Sequence, residues 1–284
     1  MKNKPISAKI AELDPVKDHQ EMMFLMGAYS FYWDVERALE LALFRTYAVP
    51  SISGLLARTG EFKKRPRKRY DDTELILAEI LENGYDSEPA KRAFARMNAM
   101  HQRFRIANED YLYVLSTFIF VPITWMERFG WRAFTEKEKQ AIYLYYREVG
   151  RRMHIHNIPS SFEAFQEFHH LYEETHFRPS PTNPEIADYT IQLLLSFYLP
   201  TWLHGIGKPF VRALMDDRLL QAMGMHPAPR WLVKMVEGIL KIRAWVLRQL
   251  PEPQRPHLIT QRYRPTYPEG YRIEELGTFD KKID

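Results

Sequence analysis

Residues 69–105 read R-Y-D-D-T-E-L-I-L-A-E-I-L-E-N-G-Y-D-S-E-P-A-K-R-A-F-A-R-M-N-A-M-H-Q-R-F-R and predict two consecutive helices joined by a short turn. Asp71 is placed to cap the first helix, and Glu74 three residues later completes a capping box. Gly84 is expected to end that helix, because glycine readily adopts the left-handed conformation found just past a helix C-terminus. Ser87 is predicted to cap the second helix. A helical hairpin is therefore expected here.

The second helix carries a histidine on an apolar face. Phe94, Met97, His101 and Phe104 recur at spacings of three and four, so they share one side of the helix. An imidazole in such a place needs a partner, because burying an unpaired polar group costs about 1–3 kcal/mol. Two interpretations stay open. His101 is a core histidine bonded to a backbone carbonyl, or it is a ligand to a metal or haem iron with Arg105 one turn on as a nearby cation.

Arg69 and Thr73 lie one turn apart near the start of the first helix. The backbone N–H groups at a helix N-terminus attract anions, and an arginine there strengthens the attraction. These two residues therefore suit an anion or an oxygen atom. The alternative is that Arg69 belongs to a solvated basic loop.

Taken together, R-x-x-x-T, an apolar helix ending in glycine, and R-M-x-x-M-H-x-x-x-R resemble the MpaB-type oxygenases, the family that includes the latex-clearing rubber oxygenases. The resemblance continues through D-Y-L-Y-V-L-S-T-F (110–118), W-M-E-R-F-G-W-R (125–132) and N-I-P-S-S-F-E-A-F (157–165). It covers residues 25–180 approximately. The order and spacing of the motifs carry it, rather than any one of them.

The resemblance implies a haem b protein with an all-helical, distantly globin-like core. It assigns His101 as the proximal iron ligand and Arg69 and Thr73 as catalytic residues on the oxygen-binding side. Arg105 and Arg69 would be the cations beside the cofactor. The implied reaction is oxidative cleavage of a C=C bond by O₂ in an apolar, isoprenoid-like substrate, with carbonyl products.

One position departs from the family pattern. Rubber-cleaving members carry a lysine just before the threonine that can ligate the resting iron, and this chain has Asp72 there. A carboxylate cannot act as an amine ligand, which argues against rubber itself as the substrate. The family's distal carboxylate base has no counterpart that can be aligned. Glu61 is the nearest acid, and it is not assigned that role.

Composition limits which kinds of fold and which cysteine-based sites the chain can have. The chain has 284 residues, 45% of them hydrophobic, and no cysteine. It can therefore bury a sizeable core, whereas disulfides, thiolate-bound haem, Fe–S clusters and cysteine zinc sites are excluded. We expect a polar arm at residues 1–20, a helical haem-binding domain at 21–250 and an extended Pro-rich tail at 251–284. Residues 1–20 lack the apolar run of a signal peptide, so a cytoplasmic or peripheral membrane location is predicted.

The only marked charge cluster is K-K-R-P-R-K-R at residues 63–69. It is interpreted as a solvated loop, a contact with an anionic membrane face, or a nuclear signal. Nucleic acid is not expected as a partner, because no binding motif or interleaved aromatic residue accompanies the run. Tyr189–Gly207 carries no formal charge and has the length of a membrane span, but its polar residues and Pro200 argue against one.

The other segments with helical periodicity give an all-α, single-domain architecture. They are residues 34–47 capped by Asp34 and ended by Pro50, Ile52–Ala57, the buried Tyr111–Trp125, residues 135–152 with a Thr135–Glu138 capping box, Phe162–His176 capped by Ser160, a helix starting at Asn183, and helices at 209–222 and 229–249.

Two other function classes remain beside the oxygenase. The first is a non-catalytic helical haem- or lipid-binding protein. It is considered because Asp72 replaces the lysine of the rubber-cleaving members. The second is a non-haem di-iron carboxylate oxidase, suggested by Glu167-x-x-His170 and Glu173-x-x-His176. In di-iron bundles such turns come from different helices, whereas both lie on one helix here, so a polar helix face is the simpler interpretation. His204 is a second candidate for the haem ligand.

Overall fold

The computed structural model describes residues 4–277, and all regular structure in that part of the chain is helical. The first seven α-helices are α1 (Ile6–Glu12), α2 (His19–Leu25), α3 (Tyr32–Thr46), α4 (Pro50–Thr59), α5 (Glu61–Lys64), α6 (Pro66–Asn83) and α7 (Glu88–His101). The next seven are α8 (Asn108–Phe129), α9 (Glu136–Arg152), α10 (Phe162–His176), α11 (Thr182–Ser196), α12 (His204–Arg212), α13 (Asp217–Ala222) and α14 (Arg230–Gln249). The prediction of an all-α fold is confirmed.

Helix α8 lies at the centre of the fold. It packs against α3, α9, α10 and α14, and almost all of its side chains beyond the first turn are buried. Pro122 sits inside the helix, where it removes one backbone hydrogen bond. The buried helix predicted at Tyr111–Trp125 is confirmed. Within residues 4–277, no helix combines the length and the apolar character needed to cross a bilayer.

Several predicted helix ends are confirmed. Ser87 caps α7 by accepting a hydrogen bond from the Ala90 N–H (3.3 Å). Thr135 and Glu138 form the expected capping box at the start of α9. Gly84 follows α6 with a φ of 78°, a conformation that favours glycine. Each of these helix ends depends on residues that lie within three positions of one another in the sequence.

The prediction that Asp71 and Glu74 begin a helix is wrong. Helix α6 begins at Pro66, because proline is well suited to the first helical turn. Asp71 is therefore inside the helix, fully buried, and accepts hydrogen bonds from Arg67 and Arg264 (2.9 Å each).

The caps predicted at Asp34 and Ser160 are also wrong. Helix α3 begins two residues before Asp34, which is buried and pairs with Arg243 (2.9 Å). Helix α10 is capped by Ser161, one residue after the predicted cap. Pro50 begins α4 rather than ending α3, again because of proline's preference for a first turn.

Two predicted helices are shorter than expected. Helix α7 ends at His101, so Phe104 lies in the exposed loop that follows. The helix predicted at residues 209–222 is two helices, α12 and α13, because Asp216 caps a new helix by accepting from the Leu219 N–H.

The two terminal segments are anchored to this core. Residues 1–20 were expected to be a polar arm, but Ile6 and Ile10 of α1 are buried in the main core. Residues 251–277 have no helix longer than the 3₁₀ turn Ile273–Glu275, and they lie along α6 and α7. The rest of the predicted tail, residues 278–284, lies outside the described residues.

Candidate functional site

The α6–α7 hairpin brings the predicted site residues to one end of the fold. The two helices pack against each other, and the turn at Gly84 makes them antiparallel. Arg69 is in the first turn of α6, and His101 is the last residue of α7. The start of one helix is therefore beside the end of the other, and the charge of Arg69 acts on the His101 ring.

His101 is partly buried, with its ring edge-on to Tyr111 (5.5 Å between centroids). Burial lowers the pKa of His101 to about 4, and the positive charge of Arg69 contributes in the same direction. The imidazole is therefore neutral near pH 7, the form that binds metal ions. Neither ring nitrogen has a hydrogen-bond partner among residues 4–277, so His101 is not the carbonyl-bonded core histidine of the simpler interpretation.

Arg69 and Thr73 hold each other in place. Arg69 Nη1 donates to Thr73 Oγ1, and the Thr73 hydroxyl donates to the Arg69 backbone carbonyl (2.9 Å). The guanidinium also lies 5.6 Å from the centroid of the Phe62 ring. Tyr47 packs against Phe62 and is buried, which raises its pKa, while the charge of Arg69 opposes that rise.

These residues fit a haem whose iron takes one protein ligand. The neutral, unpartnered ring of His101 can supply that ligand, since the porphyrin provides four nitrogens itself. Aromatic rings and Met97 supply apolar surface nearby, and Arg69 supplies a cation. Across residues 4–277, no three His, Asp or Glu side chains are grouped closely enough to hold a metal ion between them.

Arg105 and Asp72 have different surroundings from those expected. Because α7 ends at His101, Arg105 is in an exposed loop and not on the next helical turn. Asp72 is buried but faces the C-terminal tail, where it accepts from Lys68 (2.7 Å) and from the Tyr267 hydroxyl.

Most of the basic run at residues 63–69 is paired within its own helices. Arg65 donates to the two carboxylate oxygens of Glu61 from Nε (3.0 Å) and from Nη2 (2.7 Å). Arg67 and Lys68 pair with acids one turn later in α6. The run is therefore less available to an external anion than its sequence suggests. Glu61 is occupied by Arg65 as well.

A second buried polar group lies between α8 and α10. Ser116 Oγ is 2.8 Å from His169 Nδ1, and His169 Nε2 is 3.5 Å from Glu173. Glu173 also accepts from Arg45 (2.8 Å) and from the Tyr113 hydroxyl (3.0 Å). A cavity of about 300 Å³ opens beside these residues.

The sequence patterns did not single out this group and favoured its neighbours on α10 instead. Glu167 and His170 are exposed, and Glu173 is committed to Arg45, so the E-x-x-H turns do not converge on one metal. The spacing of Phe165, His169 and Tyr172, all buried, is the signal that could have placed His169 inward. His204, the second candidate ligand, is buried with its Nε2 3.2 Å from the Leu199 carbonyl oxygen.

The family described as ER-bound oxygenase mpaB/B'/Rubber oxygenase, catalytic domain, matches residues 18–248. ER-bound oxygenase mpaB' of Penicillium brevicompactum is 35% identical over 76% of this chain and 55% of its own length. ER-bound oxygenase mpaB of Penicillium roqueforti is 34% identical over 66% of this chain and 68% of its own length.

A third relative, mpaB of Penicillium brevicompactum, is 33% identical over 67% of this chain and 53% of its own length. The chain thus spans about half the length of two of these relatives. The family match includes both helices of the α6–α7 hairpin and the central helix α8. The chain belongs to the mpaB and rubber oxygenase catalytic-domain family.

Proposed function

We propose that this chain is a haem b-dependent oxygenase acting on an apolar, unsaturated, isoprenoid-like substrate. The observation that carries the proposal is the neutral, unpartnered ring of His101, close enough to Arg69 for its charge to act on the ring, in a chain of this family. His101 would hold the iron. The distantly globin-like arrangement of the core is part of the same proposal.

Haem bound at His101 would supply the iron needed to activate O₂. Arg69 is a fixed cation, and Thr73 holds its guanidinium in position. Together they would stabilise negative charge that develops on oxygen during the reaction, as preorganised donors do in other enzymes. Cleavage of one C=C bond by one O₂ gives two carbonyl groups, and the atoms balance without an external reductant.

We also propose that the protein works as a peripheral membrane protein. The fungal relatives are named ER-bound. An apolar isoprenoid-like substrate would partition into lipid, so an enzyme acting on it benefits from contact with the bilayer surface.

The test is cofactor content after expression with iron and a haem precursor. We expect a coloured protein that gives a b-type pyridine haemochrome spectrum. His101→Ala is expected to lose most of the haem, because the axial bond is its only predicted covalent attachment to the chain. His170→Ala is the matched control, since that histidine is exposed and should leave haem content unchanged.

A second variant separates ligand loss from misfolding. His101→Gly should regain the haem spectrum when free imidazole is added, because a small ligand can fill the space left by the ring. Colourless wild-type protein would overturn the proposal. His101→Ala with full haem and an unaltered spectrum would remove His101 as the ligand and make His204 the next residue to test.

A non-catalytic haem- or lipid-binding role is the other candidate. It is favoured by Asp72, whose carboxylate is bound to Lys68 and Tyr267 and supplies no amine ligand. Oxygen consumption by the haem-loaded protein with an isoprenoid alkene distinguishes the two. Haem binding without substrate-dependent oxygen uptake would support the binding role.

A further inference from the structure

Helix α14 exposes a continuous apolar stripe. Trp231, Ile242 and Trp245 have 63–66% of their surface accessible, and other apolar residues fill the positions between them. The stripe consists of Trp231, Met235, Ile239, Ile242, Trp245 and Val246, whose spacing of three, four and seven places them on one face. The opposite face of the helix packs on the protein through Leu232, Val236 and Ala244. The residues of the stripe are therefore not the ones that pack α14 against the rest of the protein.

A row of cations runs along one edge of this stripe. The row is formed by Arg230, Lys234, Lys241 and Arg248, all exposed. Glu237 is the only acid in the helix, and it pairs with Arg128 (3.1 Å). The helix thus presents tryptophan and isoleucine beside unneutralised positive charge.

Helix α12 and the turn before it carry a second exposed apolar stripe. Tyr198, Trp202, Ile206 and Phe210 recur at intervals of four and are all exposed, Trp202 to 78%. Helices α12 and α14 contact each other. We call these two stripes, on helices that contact each other, the α12–α14 face. Large exposed apolar side chains grouped in this way on a protein surface indicate a docking site.

We propose that the α12–α14 face docks on an anionic lipid surface, with α14 lying in the plane of the headgroups. Helices that bind in this way combine a tryptophan-containing apolar face with lysine and arginine at its edge. The apolar side chains would enter the acyl boundary, and the four cations would meet anionic headgroups. This inference deepens the peripheral membrane attachment proposed above, and it does not depend on haem or on turnover.

The charge distribution favours lipid over a second copy of the chain. A symmetric dimer through this face would bring two rows of four cations into one interface. The only acid that each helix could offer in return, Glu237, is already paired with Arg128. Anionic headgroups provide the missing negative charge.

The α12–α14 face adjoins the candidate site. Phe197, one residue before the start of the exposed α12 stripe, packs against the ring of Tyr70 (5.2 Å between centroids). Its ring also lies 4.6 Å from the guanidinium carbon of Arg67. Both partners are in the first turns of α6, next to Arg69. Docking here would place the Arg69 end of the hairpin near the membrane from which an apolar substrate would come.

The experiment is flotation of the full chain, as purified, with phosphatidylcholine vesicles, with and without phosphatidylserine. We expect binding that phosphatidylserine strengthens and salt weakens, because the charge contribution is screened. Ile242→Ser with Trp245→Ser should reduce the partition coefficient about tenfold or more, since each side chain contributes its own apolar burial. Lys234→Glu with Lys241→Glu should remove the preference for phosphatidylserine.

Two controls identify the surface. Leu171→Ser changes an exposed apolar residue elsewhere, and Lys63→Glu with Lys64→Glu changes exposed lysines of the basic run. Neither should alter vesicle binding. Brominated acyl chains should quench wild-type tryptophan emission, and the quenching should fall in the variant that lacks Trp245.

Three results would overturn the proposal. The first is wild-type protein that does not float with vesicles of either composition. The second is binding that survives Ile242→Ser with Trp245→Ser but is lost on changing Lys63 and Lys64. The third is a concentration-dependent dimer, seen by light scattering, that this apolar double variant dissociates. Haem content and oxygen uptake in detergent, measured on the same variants, keep failure here separate from failure of the oxygenase proposal.

Discussion

The Thr73 hydroxyl makes two hydrogen bonds, both with Arg69. It accepts from the guanidinium and donates to the backbone carbonyl (2.9 Å), so it acts on the candidate site through the position of Arg69. Thr73→Val keeps the shape of the side chain and removes the hydroxyl. The Arg69 side chain would then lose one anchor, worth about 1 kcal/mol, and turnover should fall about fivefold. Oxygen uptake by haem-loaded protein measures this effect.

Thr73→Ser is the control, because it retains the hydroxyl and loses only a methyl group. It should keep most of the activity, and both variants should keep their haem. Arg69→Ala removes the cation itself and should reduce turnover more, by about 100-fold, as loss of a stabilising donor does elsewhere. Equal losses in Thr73→Ser and Thr73→Val would show that the hydroxyl does not position Arg69.

His169 should make the stability of the protein depend on pH. Burial lowers its pKa to about 4 from an ordinary 6.5, with Glu173 opposing this change and the charges of Arg45 and His170 adding to it. The unfolded chain thus binds a proton near pH 6.5, and the folded chain does so only near pH 4. The stabilisation from the neutral ring is fully present above pH 6.5 and is lost as the pH falls toward 4.

From pH 7 to pH 5, His169 should reduce the free energy of unfolding by about 2 kcal/mol. Urea denaturation at the two pH values measures this fall. In His169→Gln the fall in the free energy of unfolding should be about 2 kcal/mol smaller than in the wild type. In His170→Gln it should equal that of the wild type, because the side chain of His170 is exposed. Identical pH dependence in wild type and His169→Gln would show that the ring takes up its proton as easily in the folded state.

At the scale of single elements, local signals were sufficient for some helix ends and misleading for others. Ser87 and Thr135 cap as predicted, because each accepts from a backbone N–H three residues away. Asp71 has the same sequence signature, but its partner Arg264 lies 193 positions further along the chain. No local pattern reveals that contact. Pro66 was the better signal for the start of α6.

The candidate site was predicted in part for the same reason. The turn at Gly84, which was predicted correctly, makes α6 and α7 antiparallel and so places Arg69 beside His101. The start of α6 and the end of α7 were predicted at other residues. Phe62 in α5 and Tyr47 just after α3 lie near Arg69, and neither carries a periodic signal that links it to Arg69. Residues brought together by tertiary packing could not be found in this way.

The turn of the α6–α7 hairpin offers a test at this scale. Gly84 has a φ of 78° and a ψ of 140°, a conformation close to glycine-only. A Cβ there would also come within 2.5 Å of Gln20 Nε2. Gly84→Ala should destabilise the protein by about 2 kcal/mol, measured by urea denaturation, because backbone strain and steric overlap add.

Two further variants separate those causes. Gln20→Ala in the Gly84→Ala background removes the overlap but keeps the strain, so it should recover only part of the lost stability. Gly54→Ala is the control, since no atom lies within 4 Å of its added Cβ and it sits inside α4. Alanine there should be neutral or stabilising. Full recovery in the double variant would show that the Gly84 backbone is not strained.

Over the whole molecule, residues 251–277 tie the C-terminal part of the chain to the hairpin that carries the candidate site. Arg264 binds Asp71, and the Tyr267 hydroxyl binds Asp72, both on α6. Arg96 on α7 donates to the Leu276 carbonyl (2.5 Å). These contacts occupy the side of α6 that carries Asp71 and Asp72. We therefore expect the tail to fix the orientation of the hairpin.

Arg264 is the contact on which this arrangement depends most. It is buried and binds two carboxylates, Asp71 (2.9 Å) and Glu74. Asp71 keeps Arg67 and Thr266 if Arg264 is removed. Within residues 4–277, Glu74 keeps a single long hydrogen bond, from the Tyr70 hydroxyl (3.5 Å), and the more distant charge of Arg262. Arg264→Ala should therefore cost about 3 kcal/mol or more, since it leaves a buried charge without its partner.

The pH dependence of that loss identifies its cause. Burial raises the pKa of Glu74, and Arg264 opposes the rise. Without Arg264, burying the ionised Glu74 carboxylate is costly, and the carboxyl avoids that cost by taking up a proton. Because protonation is easier at pH 6, Arg264→Ala should lose more stability at pH 8 than at pH 6. Adding Glu74→Gln should recover part of the loss and abolish this difference.

Arg255→Ala, which changes an exposed arginine of the same tail, should alter neither stability nor its pH dependence. Arg264→Ala as stable as Arg255→Ala would mean that the tail rests on the hairpin without holding it.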